Sequence, residues 1–295
     1  MSKILVTGSE GFIGRELISQ LKEEGHETTG FDMVGAGNQR SILSQYDLDQ
    51  EFSRFRPEVV YHLAAIVGPL KVIKNIAATI IVNVMGTQHV AYACSKYEVG
   101  KLIFTSTSEV YGALLQGGWS SDAIREEGPT MIQSPTNPRT CYAISKLTAE
   151  SLVLNAGGIV ARIFNTTGPG QSTEYVLPNM VNRALGGEPI QINGDGLQTR
   201  CFCHVQDTAR ALRLLGEFGY SGIWNVGSEK EITIIELAEK VREQIQAVPI
   251  EFNPVLPEGS KYKRHPNLEK IRSLGWNADI SLEQIIRDVS LGLQQ

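Results

Sequence analysis

The chain has 295 residues, 42% hydrophobic and 20% charged, with 27 basic against 32 acidic side chains for a formal charge of −5. This is ordinary globular composition at a length suited to one large lobe and one smaller, so disorder and fibrous repeats are excluded. The acidic balance argues against a nucleic-acid partner, which would need a basic stripe, and no apolar run reads as reaching the roughly 20 residues that cross a bilayer.

The apolar stretch Ile4-Leu5-Val6 is too short for a signal peptide and runs straight into a glycine-rich turn. Cys94, Cys141, Cys201 and Cys203 are too sparse for a disulfide framework, so reduced thiols in the cytoplasm are expected.

In chain order, Lys3–Thr7 reads as a buried strand, Gly14–Glu24 as a helix and Glu27–Asp32 as a second strand. Val59–Leu63 is a strand and Asn83–Tyr97 a long helix; Lys101–Thr105, Ile159–Phe164 and Gly222–Val226 are further strands. A loop rich in Pro, Ser, Thr and Asn from Pro129 to Pro138 precedes a helix from about Cys141 to Leu154. After Gly168-Pro169-Gly170 come a helix at Pro178–Leu185, a short strand near Pro189–Ile192, a turn at Gly194-Asp195-Gly196, and helices near Ile234–Gln246 and Ser281–Leu291. The alternation predicts an α/β fold with a doubly wound parallel sheet of Rossmann type. Residues 1–168, with 205–227 returning to them, form the cofactor domain; 169–204 and 228–295 form a smaller α/β substrate lobe over the carboxyl edge of the sheet.

The first strand meets Gly8-Ser9-Glu10-Gly11-Phe12-Ile13-Gly14, a G-x-x-G-x-x-G turn that opens a helix. Glycine serves three needs here: the tight turn, close backbone approach of a pyrophosphate, and tight helix–strand packing. The helix start adds free N–H groups and a partial positive charge. Asp32 lies 32 − 14 = 18 positions after the last glycine, about the spacing of a ribose-binding acid. Its carboxylate would hold the ribose diol and repel a 2′-phosphate, so the expected cofactor is NAD rather than NADP; Arg40 is the residue that would rescue a phosphate.

Tyr142-Ala143-Ile144-Ser145-Lys146 is a Y-x-x-x-K pattern whose two functional side chains share a helix face. The lysine is expected to depress the tyrosine pKa so that the phenolate serves as a general base. Tyr92/Lys96 and Tyr97/Lys101 match the same pattern, so position must choose between them. They sit on or just after the helix that leads into a strand, whereas Tyr142 begins a helix arriving after the strands' carboxyl edge. Next to that edge lies the hydroxyl cluster of Thr105-Ser106-Thr107-Ser108-Glu109-Val110-Tyr111-Gly112.

These segments resemble the extended short-chain dehydrogenases that modify nucleotide sugars. So do Tyr61-His62-Leu63-Ala64-Ala65, Arg162-Ile163-Phe164-Asn165-Thr166-Thr167-Gly168-Pro169-Gly170 and Gln198-Thr199-Arg200-Cys201-Phe202-Cys203-His204-Val205-x-Asp207, in the right order from residue 3 to about 290. The resemblance implies Asp47 and Leu48 near the adenine, Leu63, Ala64 and Ala65 beside the cofactor, Asn83 supporting the lysine, and Thr107 on the substrate oxygen. It implies Asn165, Arg200 and Arg264 around the diphosphate of a nucleotide sugar, and a homodimer built on the Asn83–Tyr97 and Cys141–Leu154 helices. The implied chemistry is removal of a sugar hydroxyl proton at C4 by Tyr142 with hydride passing to NAD. The 4-keto sugar is then decarboxylated, dehydrated or reduced from the other face.

Ser108-Glu109 separates these outcomes. Sugar dehydratases carry Asp-Glu there and plain 4-epimerases a small residue at the second position, whereas Ser-Glu resembles UDP-glucuronate decarboxylases. Trp119-Ser120-Ser121-Asp122 followed by Gly128-Pro129 and Arg139-Thr140-Cys141-Tyr142 resembles the same segment of lipid-A-modifying decarboxylases. Two features depart from the pattern. Gln171–Leu177 contains no arginine, leaving Arg139 as the candidate for a uronate carboxylate, and the Lys146–Arg162 stretch is short, which predicts a truncated helix. UDP-sugar decarboxylation is thus the first expectation, 4-epimerisation the second and dehydration the third. A redox-sensing NAD-binding regulator is the reading from another class, set against the presence of Thr107, Tyr142 and Lys146. An NADPH-linked carbonyl reductase is disfavoured by Asp32.

Cys201-Phe202-Cys203-His204 invites a metal reading, but strand alternation splits it between two faces and no second cluster lies near in sequence, so no metal is expected. His62 reads as a hydrogen-bonded core histidine beside the cofactor, Trp224 and Trp276 as packing residues, and Tyr92 and Tyr97 as helix-surface residues.

Overall fold

The computed structural model describes residues 1–34, 40–115, 123–132, 134, 137, 139–255 and 265–294. Strand β1 (Lys3–Thr7) is buried at every position after Lys3, because helices cover both faces of the sheet it enters; this is why its sequence is a continuous apolar run. Helix α1 (Phe12–Glu23) buries Gly14, Leu17 and Leu21, a stripe one helical face wide. Strand β2 (Glu27–Phe31), helix α2 (Gln45–Phe55), capped by the Ser44 hydroxyl accepting from Asp47 N, and strand β3 (Val59–His62) follow.

After the short α3 (Pro69–Lys74), one rod runs as α4 (Ile76–Ile80), a π turn at Ile81–Met85 and α5 (Gly86–Lys96). The rod starts earlier than the expected Asn83. It spans 21 residues, and over its most apolar 18 the mean hydropathy is 1.2, so by length and composition alone this one helix could cross a bilayer, although Asn83, Gln88 and His89 interrupt its apolar run. Its inner face carries Asn83, Thr87, Val90, Ala93 and Cys94 and packs against α2 and helix α6 (Thr140–Asn155).

Strand β4 (Lys101–Thr107) runs two residues past the expected Thr105, because its pairing with β5 (Ile159–Ile163) continues to Thr107 opposite Ile163. A 3₁₀ turn, Ser108–Leu115, follows β4. Beyond β5 lie β6 (Thr166–Thr167), α7 (Val176–Leu185), β7 (Ile190–Asn193), β8 (Thr199–Cys201), β9 (Cys203–His204), α8 (Val205–Phe218) and β10 (Gly222–Val226). The chain continues through β11 (Glu231–Thr233), α9 (Ile234–Gln244), β12 (Ile250–Asn253), α10 (Glu269–Arg272) and α11 (Leu282–Leu293).

The main sheet has the parallel order β10-β5-β4-β3-β1-β2. The chain reverses direction across the sheet at the β1–β3 neighbours, so a crevice opens at the carboxyl ends of these strands, where doubly wound folds bind ligands. One face packs on α1 and α8 with Trp224 and Trp276; the other packs on α2, α5 and α6. A separate core, built from Leu177, Met180, Val181, Leu237, Val241 and Ile286 among others, joins α7, α9 and α11 around the β7–β12 pair.

Asp207 ties the C-terminal segment to α8. Its carboxylate accepts from Ile280 N (3.0 Å) and Arg210 (2.6 Å), while its carbonyl accepts from Trp276 Nε1 (2.9 Å). Asp207→Ala leaves the part-buried Ile280 N–H and one side of Arg210 without their acceptor, at a cost of about 1–3 kcal/mol. Its thermal midpoint by scanning calorimetry should fall by several degrees; an unchanged midpoint would show that the Asp207 clasp contributes nothing.

Candidate active site

The turn after β1 needs its glycines for measurable reasons. Gly8 has φ +70°, and a Cβ there would stand 2.7 Å from Ala64 N in the loop after β3. A Cβ on Gly14 would stand 2.2 Å from the Gly8 carbonyl. Gly11 is the N-cap of α1 and has no side chain with which to cap it, so the first N–H groups of the helix stay available to an anion. This bare helix start, pressed against the loop after β3, fits a diphosphate.

Asp32 accepts from Glu10 N (2.9 Å) and Val34 N (3.1 Å), which sets its carboxylate across the glycine turn. The Arg40 guanidinium is bound instead to Glu51 and the Gly30 carbonyl, and lies over the Phe31 ring. It is therefore committed elsewhere than to a 2′-phosphate. Asp47 accepts from Ser41 N, and Leu48 is fully buried in the core beneath α2.

A buried polar chain crosses the crevice floor. Thr87 donates to the Asn83 carbonyl (2.7 Å), so its oxygen is left to accept from His62 Nε2 (2.9 Å). His62 Nδ1 then accepts from the Thr7 hydroxyl (2.7 Å), whose oxygen accepts from Ala64 N. This tautomer follows from the network. Burial, followed by the nearby Lys146 charge, lowers the His62 pKa to about 3, so the ring is neutral. The Asn83 side chain clamps both backbone groups of Ile66 and donates to Ser145 Oγ (3.1 Å). The π turn that carries Asn83 thus links the loop after β3 to α6 through Ser145, one residue before the lysine.

Helix α6 lays Tyr142 and Lys146 along the end of β4. Thr107 hydrogen-bonds the Tyr142 hydroxyl and also accepts from Glu109 N. Lys146 Nζ donates to the Thr105 carbonyl (2.8 Å) and sits 4.6 Å from the centre of the Phe104 ring. Burial lowers the Lys146 pKa to about 7, opposed by the negative charge of Glu150. The expected depression of the Tyr142 pKa is not found. Burial first, then Glu109, then Tyr175 raise its pKa, and only the Thr107 bond opposes them. The physical reason is that the half-buried phenol faces negative or neutral oxygens while Lys146 is turned onto a backbone carbonyl.

Ser108 is buried and Glu109 half-buried at the start of the 3₁₀ turn, so Thr107, Ser108, Glu109, Tyr142 and Lys146 are brought together. Of the substrate-side residues, Asn165 has φ +29° and donates to the Cys201 carbonyl, Arg200 is half-buried on β8, and Arg139 leads into α6. Arg264 and the stretch Trp119–Asp122 lie outside the described residues. Tyr92 is exposed, whereas Tyr97 is half-buried and donates to the Asp49 carbonyl, so only the first is a surface residue. The Cys201–His204 strand breaks at Phe202 into β8 and β9, with both thiols buried. Among the described residues no His, Cys, Asp or Glu group has the spacing of a metal site.

Sequence reasoning missed Tyr175 and Glu174. Their loop reaches across to the loop after β3: a Cβ on Gly68 would stand 3.5 Å from the Tyr175 hydroxyl and 3.9 Å from a Glu174 carboxylate oxygen. No periodicity marks such a contact. Glu150 and Arg162 were also missed as a pair, although Glu150 continues the Tyr142, Lys146 spacing by one more turn.

The family model for NAD-dependent epimerases/dehydratases matches residues 4–227. The chain belongs to this family. It is 34% identical over 302 residues to UDP-glucuronic acid decarboxylase 2 of Arabidopsis thaliana, covering 96% of this chain and 66% of that protein. It is 30% identical over 316 residues to the UDP-N-acetyl-alpha-D-glucosaminuronate decarboxylase of Bacillus cytotoxicus, covering 97% of this chain and 96% of that one. The chain thus spans slightly under two thirds of the plant relative. Among solved structures, the UDP-glucuronic acid 4-epimerase of Bacillus cereus, in complex with UDP-glucuronic acid and NAD, superposes with a TM-score of 0.84 at 25% identity, covering 99% of each chain.

A lysine whose folded pKa lies near 7, below its unfolded value, destabilises the fold at low pH. That penalty is relieved as the pH rises from the folded toward the unfolded pKa. Lys146→Met should therefore raise the thermal midpoint at pH 6, and the gain should shrink toward pH 10. A gain independent of pH would mean that Lys146 does not titrate abnormally.

Proposed function

We propose that the protein decarboxylates a UDP-linked uronic acid of the UDP-glucuronate type through transient oxidation at C4. The observation that carries this reading is Glu109, which follows Ser108 at the end of β4 and stands close enough to Tyr142 to act on its charge. The identity to two sugar-uronate decarboxylases supports it.

In this reading the backbone from Gly8 through Gly11, Phe12 and Ile13 to Gly14 holds the NAD diphosphate, Asp32 the ribose, and Asp47 with Leu48 the adenine side. Leu63, Ala64 and Ala65, braced by Asn83, line the nicotinamide side. Bound NAD supplies a hydride acceptor at sugar C4 and later returns the hydride. Tyr142 takes the C4 hydroxyl proton, Thr107 holds that oxygen, and the Lys146 ammonium stabilises the phenolate. A ketone at C4 makes the C6 carboxylate a β-keto acid; when carbon dioxide leaves, the electron pair of the C5–C6 bond becomes an enolate, which a proton delivered on the Glu109 side quenches at C5. Asn165, Arg200 and Arg264 hold the substrate diphosphate and Arg139 meets the carboxylate. The free thiols Cys94, Cys141, Cys201 and Cys203 fit a cytoplasmic enzyme.

A second reading, C4 epimerisation, is favoured by one observation. The Gln171–Tyr175 loop brings the Tyr175 phenol toward Tyr142 and the Glu174 carboxylate toward Gly68, and its sequence supplies no cation for a uronate.

Incubation with NAD and UDP-glucuronate, followed by mass spectrometry and proton NMR, separates the two. Loss of carbon dioxide is expected, with Tyr142→Phe and Glu109→Gln each slowing it about 10²-fold or more. Unchanged mass with an inverted C4 signal would overturn decarboxylation and remove the role given to Glu109.

We further propose a homodimer through the exposed apolar face of Leu70, Ile73, Ile80, Ile81, Met85 and Tyr92. Ile80→Glu with Met85→Glu should convert a dimer to a monomer in sedimentation velocity; a monomeric wild type would overturn this assembly.

A further inference from the structure

Glu150 is a charged group that the chemistry above leaves unused. It sits two turns along α6 from Tyr142 and one turn from Lys146, on the same face. It is buried with 2% of its side chain exposed, against Arg162 of β5 with 3%. The pairing is bidentate: Arg162 Nε donates to one carboxylate oxygen (3.0 Å) and its terminal nitrogen to the other (2.7 Å). Ser106, which is the register partner of Arg162 in the sheet, donates to the same carboxylate. The guanidinium lies 4.6 Å from the centre of the Tyr111 ring, and that phenol donates to Asn225 (2.9 Å). The same phenol is also a hydrogen-bonding neighbour of the guanidinium, so Arg162 is held from both sides.

A bidentate, buried arginine–carboxylate pair is a rigid object with fixed charges. Its negative end acts on the lysine one helical turn away, and its positive end lies over the Tyr111 ring. The titratable groups that face Lys146 are Glu150 from α6 and the neutral His62 from β3; those that face Glu150 are Arg162, Lys146 and Tyr111. Among these described groups, Glu150 is the one anion beside the lysine, and the Thr105 carbonyl is a neutral acceptor.

We propose that the Glu150–Arg162 pair is a positioning element for Lys146, holding a fixed negative charge one turn beneath its ammonium so that the lysine stays charged while Tyr142 serves as base. The charge opposes the burial that would otherwise neutralise the lysine, and Arg162 keeps Glu150 ionised and in one rotamer. The catalytic consequence rests on the reading of Tyr142 and Lys146 as the working pair; the electrostatic one does not.

The test follows Lys146 directly. Lysine carbon-13 labelled at Cε is titrated by NMR in the ligand-free chain, with Lys146→Arg to assign the resonance. Glu150→Gln keeps the shape and removes the charge, and it should lower the Lys146 midpoint by about one unit or more. Glu150→Asp keeps the charge and should restore most of it. In turnover of UDP-glucuronate, the alkaline limb of kcat should move down in parallel in Glu150→Gln, with KM within about threefold of wild type. A folded Glu150→Gln with an unmoved midpoint overturns the proposal and leaves the pair a strand brace. Should Glu150→Gln not fold, Glu150→Gln/Arg162→Gln replaces it, with a smaller shift in the same direction expected and an unmoved midpoint again overturning. Full activity in Tyr142→Phe would instead refute the catalytic pair, a result the NMR midpoint does not depend on.

Discussion

Three consecutive residues of β4 take hold of one face of α6. The Thr105 carbonyl receives Lys146, the Ser106 hydroxyl reaches Glu150, and Thr107 meets Tyr142. The strand end is itself fixed by parallel pairing to β5 through Thr107, while its pairing to β3 ends at Phe104 and the Thr105 hydroxyl donates to the His62 carbonyl. Because the contacts fall at three successive helical turns, α6 can neither slide nor rotate without breaking all of them. The remainder of the site is referred to this registration. Asn83 joins α6 to the loop after β3 through Ser145, and that loop in turn presses on the glycine turn at Gly8.

The same registration explains the site's electrostatics. A lysine held against a carbonyl in a dry interior loses much of its preference for the charged form, and its pKa falls to about 7. The phenol at the other end of the face is raised by burial and by Glu109 and Tyr175. Neither group is poised as a base pair by the bare Y-x-x-x-K spacing, so the charges around them matter as much as the motif. His62 contributes the opposite property: locked between Thr7 and Thr87 and held neutral, it ties the two central strands to the rod without adding charge.

Most of the sheet was legible because parallel strands buried on both faces produce short apolar runs bounded by turns. The glycine turn, Asp32 and Tyr142 were legible because each needs a particular residue type at a particular spacing. The rod before Asn83 was read short, since Ile76–Val82 is apolar on a face that points outward and so lacks the polar stripe that marks a surface helix. The π turn had no signature, and the Asn83 contacts with Ile66 and Ser145 depend on it. The half-buried state of Tyr97, the interruption at Phe202 and the Glu174–Tyr175 contact with Gly68 all depend on partners far away in sequence.

By itself the sequence determined the local chemistry: a strand-turn-helix with a bare N-terminus for phosphates, an acid to follow it, and a tyrosine and lysine on one helix face. These are properties of short segments, fixed by steric limits on glycine and by helical periodicity. Only the tertiary structure decided what each group feels. It committed Arg40 to Glu51, placed Glu150 and Arg162 under Lys146, and brought Tyr175 toward Tyr142. Burial and long-range charge set a side chain's protonation and reach, and both arise only when elements distant in the chain are packed against one another.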